Sequence, residues 1–335
     1  MELHESLTLL IEKMNWQLDS IATKIAELSS NICYLIDRLS TTDNDAVVNN
    51  QDLASYIISL KRVALSILNR NKIEEISSNI RSACNSFLYY CSRANNVGNN
   101  LNLPALFGVA YSSLNLYYNY CSSINPIRIN QPVLFFFQAC PVDQPSFSCI
   151  DECNGVVDYC SKTGTYPVII YATNPSVFQK TLVYYSQNPY HVLHFSSHGD
   201  IGRLVFCTPG TYKSISIQPA FVIESLSLAM EKYDKLPLIY ANACFSDSFV
   251  RHFMVRKANA PVIRRALGIA GSNNDYYANK FSISFYDSLS AINPLYLNLD
   301  DMPLYISNSF CKTKETFIDK RYNRKVILMK RRKNK

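Results

Sequence analysis

"LPLIYANACFSDS", residues 236–248, runs as an apolar strand straight into Cys244 and then into small polar residues suited to start a helix. Four other stretches have the same short apolar form: "PVLFFFQA" (132–139), "YPVIIYAT" (166–173), "HVLHFSS" (191–197) and "ALGIAGS" (266–272). Amphipathic segments such as "SVFQKTLVYYSQ" (176–187) and "IQPAFVIESLSLAMEKY" (217–233) lie between them. Continuous apolar strands alternating with helices predict an α/β domain, a mostly parallel sheet with helices on both faces. Chemistry in such sheets sits at the carboxyl ends of the strands, where Cys244 falls.

Working outward, the residues before this domain are helical. Apolar residues at 7, 11, 14, 18, 21, 25, 28, 32, 35 and 39 alternate steps of four and three over five heptads, predicting one long helix of roughly 50 Å. Few opposed charges flank that seam, which fits an antiparallel helical bundle better than a charge-specified zipper. "DLASYIISLKRVALSILNR", "NKIEEISSNIRSACNSFLYYC" and "PALFGVAYSSLNLYYNYC" supply three more helices. The predicted domains are an all-helical bundle over 1–125, the α/β domain over 126–311 and a basic C-terminal tail over 312–335.

The 335 residues carry a formal charge of +7. Between Lys312 and Lys335 eleven Lys or Arg face only Glu315 and Asp319, so residues 1–311 stand at −2. The tail is read as a solvated basic end, with nucleic acid, anionic lipid or an acidic partner as weaker alternatives. Eleven cysteines are scattered through helices and strands instead of forming a compact framework, which points to a reduced, cytoplasmic chain. The first twenty residues mix acids into their apolar pattern and read as no targeting peptide, and no window is apolar enough to span a membrane.

One strand ends in His198-Gly199 and the following core strand ends in Cys244. Consecutive parallel strands are commonly neighbours, so these residues are expected to meet on one edge. A thiol needs a base nearby to ionise at neutral pH, and imidazole is the usual partner. An oxyanion needs backbone donors: Gly199 permits close approach of the main chain, and the Cys244 amide is the second candidate. By contrast, Cys140 in "FFFQAC" is followed by Pro141 and reads as structural. His194 reads as a packed strand histidine, and Cys149, Cys153 and Cys160 share a helix face and read as core. No cofactor or metal is expected.

"VLHFSSHGD" (192–200), "LIYANACFS" (238–246) and "RRALGIAGSNNDYYANKFSISFYDSLS" (264–290) resemble, in that order, blocks of the caspase-like cysteine peptidases, the clan of caspases, gingipains and separases. The closer resemblance is to the CHAT branch, which is associated with helical repeats in prokaryotes. It covers about residues 130–295. The resemblance implies a caspase-like fold, Cys244 as nucleophile, His198 as base and acid, and Gly199 with Cys244 as the oxyanion hole. It also implies Asn242 as a substrate contact, and Asp275 and Asp200, the remaining acids near the predicted edge, are further expected substrate contacts, Asp275 first. The expected function is a cysteine endopeptidase acting on protein substrates, a regulated effector in prokaryotic stress or antiviral responses, with the helical region binding a regulatory partner. The alternative is a catalytically silent caspase-like scaffold for protein interactions.

Overall fold

A computed structural model describes residues 20–41, 50–70, 78–95, 103–124, 130–141, 143–144, 149–209, 211–230, 235–255, 262–272, 274–292 and 300–331. The chain divides into two compact units, Met1–Ile127 and Arg128–Lys335.

The first unit holds α1 (Ser20–Thr41), α2 (Asn50–Arg70), α3 (Ser78–Asn95) and α4 (Leu103–Ile124). Each packs on two others, α1 on α2 and α4, and α3 on α2 and α4, which closes a four-helix bundle. The seam residues before Ser20 lie outside the described residues. Along α1 the described buried residues are Ala22, Ile25, Ala26, Leu28, Ser29, Ser30, Ile32, Cys33 and Ile36, a wider face than the heptad seam. That width is what a helix needs when two neighbours cover it. Ser29 Oγ donates to the Ser113 carbonyl of α4 at 3.3 Å, which satisfies it across the interface, whereas the neighbouring Ser30 Oγ is buried without a hydrogen-bond partner among the described residues.

The second unit contains six-stranded and three-stranded sheets. In the larger, β1 (Val133–Ala139), β2 (Tyr166–Ile170), β3 (Tyr190–Ser197), β7 (Lys235–Asn242), β8 (Val262–Ile269) and β9 (Val326–Lys330) are ordered β2-β1-β3-β7-β8-β9. The first five are parallel and β9 is antiparallel to β8. The smaller sheet is β4 (Gly199–Asp200), β5 (Arg203–Cys207) and β6 (Ser214–Ile217). The connecting helices are α5 (Ile150–Thr163), α6 (Pro175–Tyr184), α7 (Pro219–Ala229), α8 (Ser246–Arg251), α9 (Asp275–Ile292), α10 (Met302–Thr316) and α11 (Lys320–Lys325).

The triple phenylalanine of β1 shows why the strands are apolar without alternation. Phe135, Phe136 and Phe137 are each fully buried. Phe137 meets Phe178 of α6 at 4.8 Å between ring centres, while Phe136 faces His194, whose ring stacks near Tyr286 of α9. Helices therefore cover both faces, and each such side chain contributes about 1.5–3 kcal/mol relative to exposure.

Two sequence expectations are corrected. The second strand stops at Ile170, because Ala172 turns with φ 51° and its amide donates to Gln138 Oε1 at 3.0 Å, a side-chain acceptor in place of a ladder. The separate basic tail is also replaced. α10 runs on to Thr316, Phe317 and Tyr322 pack on Phe281, and β9 pairs with β8 from Arg265↔Lys330 to Ile269↔Val326. The apolar run Val326–Met329 offers an antiparallel strand that the surrounding charge obscures.

A bulge in β3, where Val133↔Tyr190 gives way to Leu134↔Val192, interrupts its alternation at His191. The His191 ring is fully buried with Nε2 2.5 Å from the Tyr159 hydroxyl, and burial pushes its pKa down to about 3. The unfolded chain takes up this proton near pH 6.5 while the folded chain does not, so stability present above that pH is lost as pH falls toward 3. Urea unfolding between pH 6.5 and 5 should show a decline of up to about 1.4 kcal/mol per pH unit from this residue. A folded His191→Gln variant should lack that one-proton component.

Candidate active site

β3 and β7 run side by side through the pair Ser196↔Asn242, so His198-Gly199 and Ala243-Cys244 leave the sheet at the same edge. The approach is tight. A Cβ built at Gly199 would lie 2.3 Å from the Cys244 carbonyl oxygen and 3.0 Å from Ala243 Cβ, so only glycine fits. Val205 N–H donates to the His198 carbonyl at 3.0 Å, which makes Gly199↔Leu204 a non-hydrogen-bonded pair and turns the Gly199 N–H away from β5. His198 and Cys244 are both half-buried at this edge.

Cys244 sits on a strained turn. Phe245 follows it with φ 53°, a left-handed conformation costly for a residue with a side chain. Several bonds hold it there. Phe245 N–H donates to the Gly271 carbonyl at 2.8 Å, and Ser248 Oγ donates to the Phe245 carbonyl at 2.7 Å while accepting from Gly202 N–H at 2.7 Å. Ser246 Oγ donates to the Ala241 carbonyl and accepts from Ile269 N–H, tying the turn to β7 and β8. Gly268 lets α8 close onto β8, since a Cβ there would stand 2.9 Å from Asp247 N. The strand–cysteine–helix order of the sequence thus becomes a sharp turn presenting the thiol.

Accessibility separates Cys244 and Cys311 from the other nine cysteines. Nine are buried; Cys244 is partly exposed and Cys311 exposed. Burial pushes the thiols of Cys84, Cys91, Cys153 and Cys207 up to about 12, and those of Cys149 and Cys160 well above their ordinary range. These are small hydrophobes, inert as nucleophiles. Cys140 is buried at the end of β1, as its sequence context indicates.

Beneath the edge lies a polar network that the sequence did not announce. Glu152 of α5 is fully buried, and its Oε2 accepts from Ser196 Oγ at 2.7 Å while its Oε1 accepts from Asn242 Nδ2 at 2.6 Å. His194 Nε2 also lies 2.9 Å from Glu152 Oε1, a close electrostatic approach without an aligned hydrogen bond, and its Nδ1 is 2.8 Å from the Tyr286 hydroxyl. Ser196 and Asn242 form the last pair between β3 and β7, so Glu152 ties together the two strands that carry His198 and Cys244. The available signal was an acid at the third position after Cys149 and the fourth before Val156, on the helix face that the cysteines marked as buried.

The remaining expected contacts are split by the structure. Asn242 is 5% exposed and its amide is committed to Glu152, which places it in the floor of the site instead of on its surface. Asp200 is exposed at the β4–β5 turn, its Oδ1 accepting from Ile201 N–H. Asp275 is the first residue of α9, whose cap is formed by Asn274 Oδ1 accepting from Tyr276 N–H at 3.1 Å. Partial burial raises the Asp275 carboxyl above its usual range, nearby His198 works to lower it, and Glu152 works to raise it. Asp275 opens α9 just after the carboxyl end of β8, the parallel neighbour of β7, which puts it at the same edge of the sheet as His198. Tyr322 of α11, packed against Tyr277 and Phe281 of α9, has its hydroxyl buried without a hydrogen-bond partner among the described residues. Burial raises its pKa, with Tyr240, Glu152, Cys244 and Asp275 adding to that direction. Among the described residues no group of His, Cys, Asp and Glu is arranged to hold a metal ion, and no helix is long and apolar enough to cross a membrane.

No family model matches the chain, and no curated protein matches it. Among solved structures, caspase-1 from Spodoptera frugiperda aligns with a TM-score of 0.42 at 10% identity, over 61% of this chain and 87% of that one.

Proposed function

We propose that this chain is a cysteine endopeptidase of the caspase-like, CHAT-related kind, with Cys244 as nucleophile and His198 as general base and acid. The observation that carries the reading is the contact of Gly199 with the Cys244 main chain, which brings the only half-buried thiol of a parallel-sheet edge beside a histidine-glycine pair. In the reaction His198 takes the thiol proton as Cys244 Sγ bonds to the peptide carbonyl carbon, then protonates the leaving amine. Water, deprotonated by His198, hydrolyses the thioester and restores the thiol. The Gly199 N–H, turned away from β5, and the Cys244 N–H receive the oxyanion. Asp275 and Asp200 contact substrate from either side, and Asn242 supports them from the floor. Ile201 and Tyr276, 70% and 64% exposed beside those acids, add apolar contact surface for an extended peptide. The helical unit serves as the platform for a regulatory partner.

The test is proteolysis of an unfolded protein substrate. Cys244→Ala and His198→Ala should each abolish it while circular dichroism remains that of the parent. Undiminished cleavage by Cys244→Ala would exclude this mechanism and leave the protein-interaction scaffold as the reading to pursue.

A further inference from the structure

The C-terminal segment, basic enough to read as a tail, returns to the edge that carries Cys244. Asp319 Oδ1 accepts from Tyr322 N–H at 2.7 Å and starts α11. Phe317 and Tyr322 pack on Phe281 with ring centres 5.2 and 6.1 Å away, and Tyr322 stacks on Tyr277 at 6.1 Å, so the segment is seated on α9, the helix that Asp275 opens. Its last helical residue is Lys325.

Lys325 holds the loop after β8 from both sides. Its carbonyl accepts from Ala270 N–H at 2.8 Å, and its Nζ donates to the Ser272 carbonyl at 2.8 Å. Between those two anchor points is Gly271, at φ +86°, whose carbonyl accepts from Phe245 N–H at 2.8 Å. Phe245 is the left-handed residue directly after Cys244. Three hydrogen bonds thus connect Lys325 to the turn that presents the thiol, and the turn is one that relaxes when an acceptor is withdrawn.

From this geometry we infer that Lys325 is a positioning residue for Cys244: its ammonium fixes the 270–272 loop, the loop fixes the Gly271 carbonyl, and that carbonyl keeps Phe245 in the conformation that aims the thiol. The inference rests on Cys244 being the nucleophile. It assigns to a residue of the basic segment a role in orientation and none in contacting substrate. Because the Ala270–Lys325 bond is made by main chain, replacing the side chain leaves β9 and α11 paired and withdraws only the ammonium.

The experiment measures the second-order rate of alkylation of Cys244 by iodoacetamide across pH 5–9, in a full-length Cys311→Ser background that removes the other exposed thiol. Lys325→Met should slow alkylation about tenfold, the scale of losing one charge-assisted hydrogen bond. Its pH profile should move, its thermal midpoint should stay with the parent, and Lys325→Arg should recover most of the rate. Gly271→Ala, strained at a positive φ, should reproduce the slow phenotype by acting on the same carbonyl. The inference is overturned if Lys325→Met alkylates at the parent rate, if Lys325→Arg is as slow as Lys325→Met, or if the rate falls only in step with a lowered thermal midpoint. Alkylation reports the thiol whether or not the protein cleaves peptides. Equal rates therefore count against Lys325 alone, whereas proteolysis surviving in Cys244→Ala counts against the nucleophile assignment.

Discussion

Glu152→Ala should cost the α/β unit about 3–5 kcal/mol, the scale for removing one member of a buried charged network. Three groups lose their acceptor or neighbour at once: Ser196 Oγ, Asn242 Nδ2 and His194 Nε2. None can turn to water, because all three residues are at most 5% exposed. Glu152→Gln keeps the shape and one acceptor oxygen but sets an amide N–H against a donor, and should cost about 1–3 kcal/mol. Denaturant midpoints of the two variants check the order. Asp158→Ala on the same helix is the comparator: its ion pair with Lys162 lies at the surface with side chains 30% and 50% exposed, so its loss should stay below about 1 kcal/mol. A Glu152→Ala protein as stable as Asp158→Ala would mean that the network does not hold β3 and β7 together.

Gly199→Ala should act on the site more than on the fold. The added Cβ cannot be accommodated 2.3 Å from a main-chain oxygen, so the β4–β5 hairpin must retreat from Cys244. The hairpin is short and packed at the rim, and its displacement should cost about 1–3 kcal/mol. His198 and the Gly199 N–H move with it, however, and a shift of about 1 Å in a reacting geometry is enough for a loss of about 10²-fold in rate. The expected result is kcat/KM on a protein substrate reduced by at least that factor with most of the stability retained. Parent-like turnover in Gly199→Ala would show that the close approach has no part in catalysis.

Much of this organisation could be read from residue order. The five parallel strands of the large sheet announce themselves through apolar runs, since a sheet covered on both faces leaves few positions to polar residues. Cys244, His198 and Gly199 stand out because each follows such a run, where the chain leaves the sheet. The heptad seam of α1 identified a helix but understated its buried face, because packing on two neighbours buries Ser29 and Ala22 beside the seam. Glu152 was hidden by its context: it stands beside Asp151 in the first turn of a helix, where acids are ordinary, and only the fold shows that it lies under the ends of two strands. The last strand was masked by charge, four apolar residues between Lys325 and Lys330 inside a strongly basic stretch. Asn242, read as a substrate contact from its place two residues before the cysteine, is turned inward by the pleat with its amide committed to Glu152.

The central claim, that Cys244 is a nucleophile activated by His198, is tested most directly by a peptide bearing a thiol-reactive carbonyl electrophile, with the modified residue located by mass spectrometry. The account predicts modification at Cys244 in preference to the more exposed Cys311, and a rate at least about 10²-fold lower in His198→Ala. Modification at Cys311 instead, or an undiminished rate in His198→Ala, would contradict it.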